Sequence, residues 1–272
     1  MQKYRFHALR AAIAGALCLG AAACSSKSEP KHQPTHAEQT LPSIVDDKPM
    51  TNVVPASTAP TEVKSPDPDT APAPVPEPPR TFRQMIKDGK SMSAGGDHDK
   101  AIELLEQAVE EKPGSATARI ELARARLAAD DASAARAPAE KAVELAPESS
   151  YAWNTLGRVE LGEGDREAAI TSFGHAVDEN EDNTYAWNNL GFVYLLDERW
   201  EEAADALEHA TSGNHPTAYM WNNLAIAYEH LDRLGEARAA YRQASELGSS
   251  KADASLQRLE GVDTIDPPSG AN

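Results

Sequence analysis

Trp153, Trp187 and Trp221 stand 34 residues apart, each in the same local string: YAWN, YAWN and YMWN. With tryptophan as position 4, blocks begin at Ser150, Thr184 and Ala218, and stepping back by the same period adds blocks at Ala116 and Phe82. Position 7 is Leu156, Leu190 and Leu224; position 8 is Gly157, Gly191 and Ala225; position 24 is Phe173, Leu207 and Tyr241. Alanine holds position 20 in all five blocks, from Ala101 and Ala135 through Ala169 and Ala203 to Ala237, and position 27 as well. A unit of this size cannot bury its own apolar face, so the blocks must stack on one another.

Each block reads as two helices. Positions 4, 7, 8 and 11 make one apolar stripe at a 3.6-residue period, and positions 20, 24 and 27 make a second. Glycine or alanine at 8 and alanine at 20 and 27 remove bulk where the helices cross. "GD" at Gly96–Asp97 and Gly164–Asp165 marks the turn within a pair, with Asp97 and Asp165 as expected N-caps. Pro138 falls at position 23, inside a second helix, where it removes a hydrogen bond and predicts a kink.

The pattern resembles the tetratricopeptide repeat, W-x2-L-G-x2-Y…A-x3-F…A-x4-P, over Phe82–Lys251 without a gap. The first two blocks depart from it, with Met85 and Arg119 in place of tryptophan and Asp88 at position 7 of the first. The resemblance implies an all-α, right-handed solenoid of five helix-turn-helix repeats, 82–115, 116–149, 150–183, 184–217 and 218–251. A capping helix over 252–260 follows, completing a domain over 81–260, and 261–272 is expected to be a disordered tail.

The amino terminus is built differently. Residues 1–23 combine Lys3, Arg5 and Arg10 with an apolar run from Ala11 to Ala23, too short to cross a bilayer but suited to a signal peptide. "AAAC" ending at Cys24 resembles the bacterial lipobox, with Ala21 where that motif prefers leucine; the same alanines also fit an ordinary secretory cleavage site. As a lipobox it implies lipidation at Cys24, and Ser25 after it implies the outer membrane. Of 19 prolines, 13 lie between Ser25 and Arg80, where no Phe, Trp or Tyr occurs. Residues 24–80 are therefore expected to be a disordered tether of about 40 Å as a coil and about 170 Å fully extended.

Formal net charge is −17, which repels nucleic acid. Both cysteines, Cys18 and Cys24, lie near the start, so the repeats have neither disulfides nor cysteine metal sites. "DGKS" at Asp88–Ser91 lacks the glycine that a phosphate loop needs at Gln84. "SEPK" at Ser28–Lys31 lies in the linker, and His175 and His209 at position 26 have no third ligand. No catalytic residue, cofactor, metal or small-molecule substrate is expected.

What is left is a ladder. Tyr151, Tyr185 and Tyr219 occupy position 2, and Asn154, Asn188 and Asn222 occupy position 5. At 100° per residue, positions 2, 5, 6 and 9 turn away from the core stripe, and in the resembled family that face lines the concave groove. Asn189 and Asn223 at position 6 are ordinary for the family, whereas the position 2 and 5 series belong to this chain. The expected site is a peptide groove in which exposed carboxamides pair with an extended backbone and tyrosines supply contact area. The carboxylate clamp of co-chaperone repeats is not expected, because Asn154 and Thr155 stand where its basic residues would be. By resemblance to pilotin-type lipoproteins, the chain is expected to be a periplasm-facing outer-membrane scaffold that binds protein partners and assists assembly of an envelope complex such as a type IV pilus secretin. The alternatives are an obligate structural subunit or spacer, and an enzyme.

Overall fold

The computed structural model describes residues 80–260; the expected signal peptide, lipidation at Cys24, tether and tail fall on residues outside these. Eleven α-helices and no strand occur among the described residues. The first helices of the five blocks are α1 (Phe82–Ala94), α3 (Ala116–Ala128), α5 (Ser150–Gly162), α7 (Thr184–Leu196) and α9 (Ala218–His230), each beginning on the first residue of its block. Their partners are α2 (His98–Glu111), α4 (Ala132–Leu145), α6 (Arg166–Glu179), α8 (Trp200–Ser212) and α10 (Leu234–Glu246). The final helix, α11, covers Ser250–Leu259 and so starts two residues before the expected cap.

Every helix packs on the next in sequence, and each odd-numbered helix of the first nine also packs directly on the following odd one, which the even helices do not match. The odd helices therefore form the inner layer of the stack. No helix contacts a distant repeat, so the core is a chain of neighbouring clusters.

The repeated small residues do the work their spacing predicts. The position 20 alanines, Ala101 to Ala237, and the position 27 alanines, Ala108 to Ala244, are wholly buried. A Cβ on Gly89, Gly157 or Gly191 would lie 2.6–2.8 Å from Leu105, Phe173 or Leu207, the position 24 side chain of the same block. Where position 24 shrinks to Ala139, position 8 carries Ala123, and both are buried. Trp153, Trp187 and Trp221 are only half-buried at the margins of the core. Their rings also serve other contacts: Trp153 Nε1 donates to the Pro147 carbonyl at 2.6 Å and Trp187 Nε1 to the Glu181 carbonyl at 2.9 Å. His175 packs at a 30° tilt on Trp153 and His209 stacks on Trp187, at 4.5 and 4.4 Å between centroids, so these position 26 histidines are packing partners.

Turn chemistry is shared unevenly. Position 15 is left-handed in every repeat: Gly96 at φ 91°, Asp130 at 58°, Gly164 at 87°, Glu198 at 57° and Asp232 at 57°. Thr81 opens α1 with a capping box, accepting from the Gln84 amide while Gln84 Oε1 accepts from Thr81 N at 2.9 Å. Asp165 caps α6 through the Ala168 amide at 3.1 Å. Asp97 does not cap α2 as expected; Lys100 Nζ, one turn ahead, takes its carboxylate at 3.3 Å instead.

Pro138 does not interrupt α4, which runs through it from Ala132 to Leu145. The proline leaves the Ala134 carbonyl without its intrahelical donor. Arg126 Nη1, from α3, donates to that oxygen at 2.7 Å, and Nη2 of the same guanidinium reaches Glu106 on α2 at 2.6 Å.

Candidate protein-binding site

The asparagines at positions 5 and 6 were expected to be exposed; they are not. Asn154 is 0% exposed, Asn188 and Asn189 3%, Asn223 2% and Asn222 6%. Asn189 Nδ2 on α7 donates to Asn154 Oδ1 on α5 at 3.0 Å, and Asn223 Nδ2 on α9 donates to Asn188 Oδ1 at 3.1 Å. Asn188 Nδ2 donates to its neighbour Asn189 Oδ1 at 3.5 Å, so four carboxamides run head to tail across three repeats. The reason is the direct packing of α5 on α7 and of α7 on α9. A face that one helix would show to solvent is covered by the next repeat, and buried carboxamides must then find partners. The ladder ties repeats together and is not a row of free hydrogen-bonding groups.

The tyrosines of position 2 stand on the same three helices, α5, α7 and α9. Tyr151 is 53% exposed, and Tyr185 and Tyr219 are half-buried. The Arg124 guanidinium lies 5.9 Å from the Tyr151 ring centroid.

Position 9 carries a second series that the sequence reading passed over: Lys90, Arg124 and Arg158, then Phe192 and Ile226. The signal was present as the same 34-residue spacing. Position 6 of the second block supplies Glu121, a carboxylate only 10% exposed, which takes Lys90 Nζ at 2.9 Å and Arg124 Nη1 at 3.5 Å. Beyond Lys90 a cleft opens between the first two repeats, lined by Arg80, Phe82, Arg83, Ile86, Lys87, Lys112 and Thr117 among others. Lys112 Nζ sits 4.1 Å above the Phe82 ring.

Two ionisable groups are tuned by position. Burial pushes the Glu160 carboxyl above the ordinary carboxylate range, with the Ser172 hydroxyl and the Arg136 charge opposing it. Burial also acts to raise Glu229, but the Arg258 fork, 2.7 Å on each oxygen, and the Tyr241 hydroxyl at 3.0 Å outweigh it and hold Glu229 low. That fork fastens α11 to α9. Among the described residues no helix is long and apolar enough to cross a membrane, and no group of three His, Cys, Asp or Glu side chains could hold a metal.

Paired helices of fixed length, alanine at every helix crossing and an inner layer of first helices define a helical-repeat protein. Tetratricopeptide repeat profiles match residues 93–159, 154–214 and 198–252, and the chain belongs to that family of protein-interaction scaffolds. No match was found among curated proteins. Solved structures share the fold. A thermophilic tetratricopeptide-repeat protein of Thermus thermophilus, TTC0263, is 23% identical, with a TM-score of 0.56 over 66% of this chain and 99% of that one. The pilF protein of Pseudomonas aeruginosa is 20% identical, with a TM-score of 0.60 over 65% of this chain and 82% of that one. A chain of the APC/C hetero-tetramer Cut9–Hcn1 is 22% identical, with a TM-score of 0.60 over 66% of this chain and 36% of that one.

Proposed function

We propose that this chain is a lipid-anchored adaptor of the bacterial envelope whose inner face takes an extended segment of a partner protein. The observation that carries the reading is the row Tyr151, Tyr185 and Tyr219, one per repeat on the inner layer, with Tyr151 the most exposed large apolar side chain among the described residues. Tyrosine offers flat amphipathic contact area at little entropic cost. The asparagine ladder on the same helices supports this indirectly. By fixing α5, α7 and α9 in register it holds the tyrosines in line before a partner arrives, and preorganisation of this kind lowers the cost of binding.

Anchoring rests on the apolar run, Cys24 and the proline-rich stretch behind it. Assistance to an envelope assembly such as a type IV pilus secretin is supported by the resemblance to pilotin-type lipoproteins and by the shared fold with pilF. The test is cross-linking in living cells with wild type and with Tyr151→Ala, Tyr185→Ala and Tyr219→Ala combined. The reading expects the wild type to capture an envelope protein and the triple variant to lose it while its melting temperature holds. Capture unchanged by the triple variant would remove the inner face from consideration. Labelled fatty acid should enter the wild type and not Cys24→Ser.

A further inference from the structure

Charge in this molecule is divided between the layers. The even helices α2, α4, α6, α8 and α10 carry six bases and 16 acids. The inner helices α1, α3 and α5 carry seven bases and three acids, and α7 and α9 carry no lysine or arginine. Arg158 is buried and Arg126 turns to Glu106 on α2, so in this chain of net charge −17 the exposed inner bases gather at the first repeats. Among them is the shallow cleft lined by Arg80, Arg83, Lys87, Lys90 and Lys112, where Glu111 is the acid among the lining residues. Internal pairing neutralises part of it: Asp88 meets Arg80 at 3.3 Å and Glu121 meets Lys90. Arg83 and Lys87 remain exposed on successive turns of α1, with Phe82 and Ile86 beside them for apolar contact.

We propose that this cleft docks an acidic peptide segment, with its carboxylates on Arg83 and Lys87 of α1 and the rest of the segment running along the inner layer toward Tyr151. This deepens the inner-face reading and rests on it. Charge complementarity selects the occupant: a groove lined by cations draws in a narrow anionic chain. A polyphosphate backbone or an anionic lipid surface is broad, and it would also meet the acidic outer helices. Arg83 and Lys87 stand one turn apart on α1 with Lys112 across the cleft, which suits an extended chain with carboxylates distributed along it.

The experiment uses the full chain carrying Cys24→Ser, so that no lipid contributes. Fluorescence anisotropy follows a labelled oligo-glutamate peptide and an oligo-glutamine peptide of equal length, at low and high salt. The same titrations are run on Arg83→Gln combined with Lys87→Gln, two exposed positions whose loss leaves the core intact. The proposal expects the glutamate peptide to bind at least about tenfold tighter than the glutamine peptide, and the double variant to lose about tenfold, since each exposed ion pair contributes up to about 1 kcal/mol. Binding should also weaken as salt rises. Equal affinity for the two peptides, no binding of the glutamate peptide, or an unchanged double variant each overturns it. A parallel flotation assay with phosphatidylglycerol vesicles overturns it in favour of a membrane contact if vesicles bind through Arg83 and Lys87 and the peptide does not. Should tyrosine-dependent capture persist while the glutamate peptide fails, the charge proposal alone falls; loss of both would remove the inner-face reading with it.

Discussion

Asn189 Nδ2 on α7 donates to Asn154 Oδ1 on α5 at 3.0 Å, with both side chains buried. The pair spans 35 residues, one more than the repeat, because position 6 of one block meets position 5 of the block before. Replacing Asn189→Ala strands the Asn154 oxygen in the interior and should cost about 1–3 kcal/mol. Asn222→Ala, at the end of the row and outside this chain of carboxamides, should cost less. Denaturant unfolding of the two variants checks the difference; equal costs would mean that the ladder adds nothing to inter-repeat stability.

Arg126 and Pro138 should behave as a coupled pair. Arg126→Ala leaves the Ala134 carbonyl unserved and should destabilise by about 1–3 kcal/mol. In a Pro138→Ala background the backbone N–H of residue 138 can serve that carbonyl, so the same arginine change should cost about 1 kcal/mol less. A double-mutant cycle by chemical denaturation measures the coupling, and a value of zero refutes it.

Gly191→Ala should be costly even though alanine is the better helix former. The added Cβ would stand 2.6 Å from Leu207 Cγ and 3.3 Å from the Ala203 carbonyl, forcing α7 and α8 apart. Overpacking of this kind costs about 1–3 kcal/mol. Gly174→Ala on α6, whose Cβ would meet nothing within 4 Å, is the control and should be neutral or stabilising. Thermal melts of both decide the point.

Acid should loosen the carboxy-terminal end first. Glu229 is held low by Arg258, so the stability it contributes is complete above the unfolded carboxylate value, about 4.3, and disappears as pH falls through its lower folded value. Glu160 works in the opposite sense. Burial raises its folded value, so its charged form costs stability at neutral pH, and that cost is relieved as pH falls through the raised value. Glu160→Gln should therefore stabilise the chain at neutral pH, and Glu229→Gln should weaken protection of α11 there. Amide exchange along α11 between pH 7 and pH 3 is the measurement; protection independent of pH would contradict the Glu229 assignment.

The sequence by itself determined the period, the two helices in each unit and the residues that make them cross closely. Those follow from local periodicity and from side-chain size: Gly191 and Leu207 recur in register with Gly157 and Phe173, and each glycine admits the bulky side chain of its own block. Tertiary structure decided what the second face of the inner helices does. Helix geometry alone turned Asn154, Asn188 and Asn222 away from their own block's core, and it did so correctly. Whether that face meets solvent or a neighbour depends on how closely α5, α7 and α9 approach one another, which no single helix encodes. The same holds for Pro138, whose local cost was legible from the chain, while the remedy came from Arg126, 12 residues earlier and on another helix. Basic residues at position 9 were visible at the repeat spacing, yet stacking gave them different surroundings: Lys90 stays exposed, whereas Arg158 is buried by its neighbours.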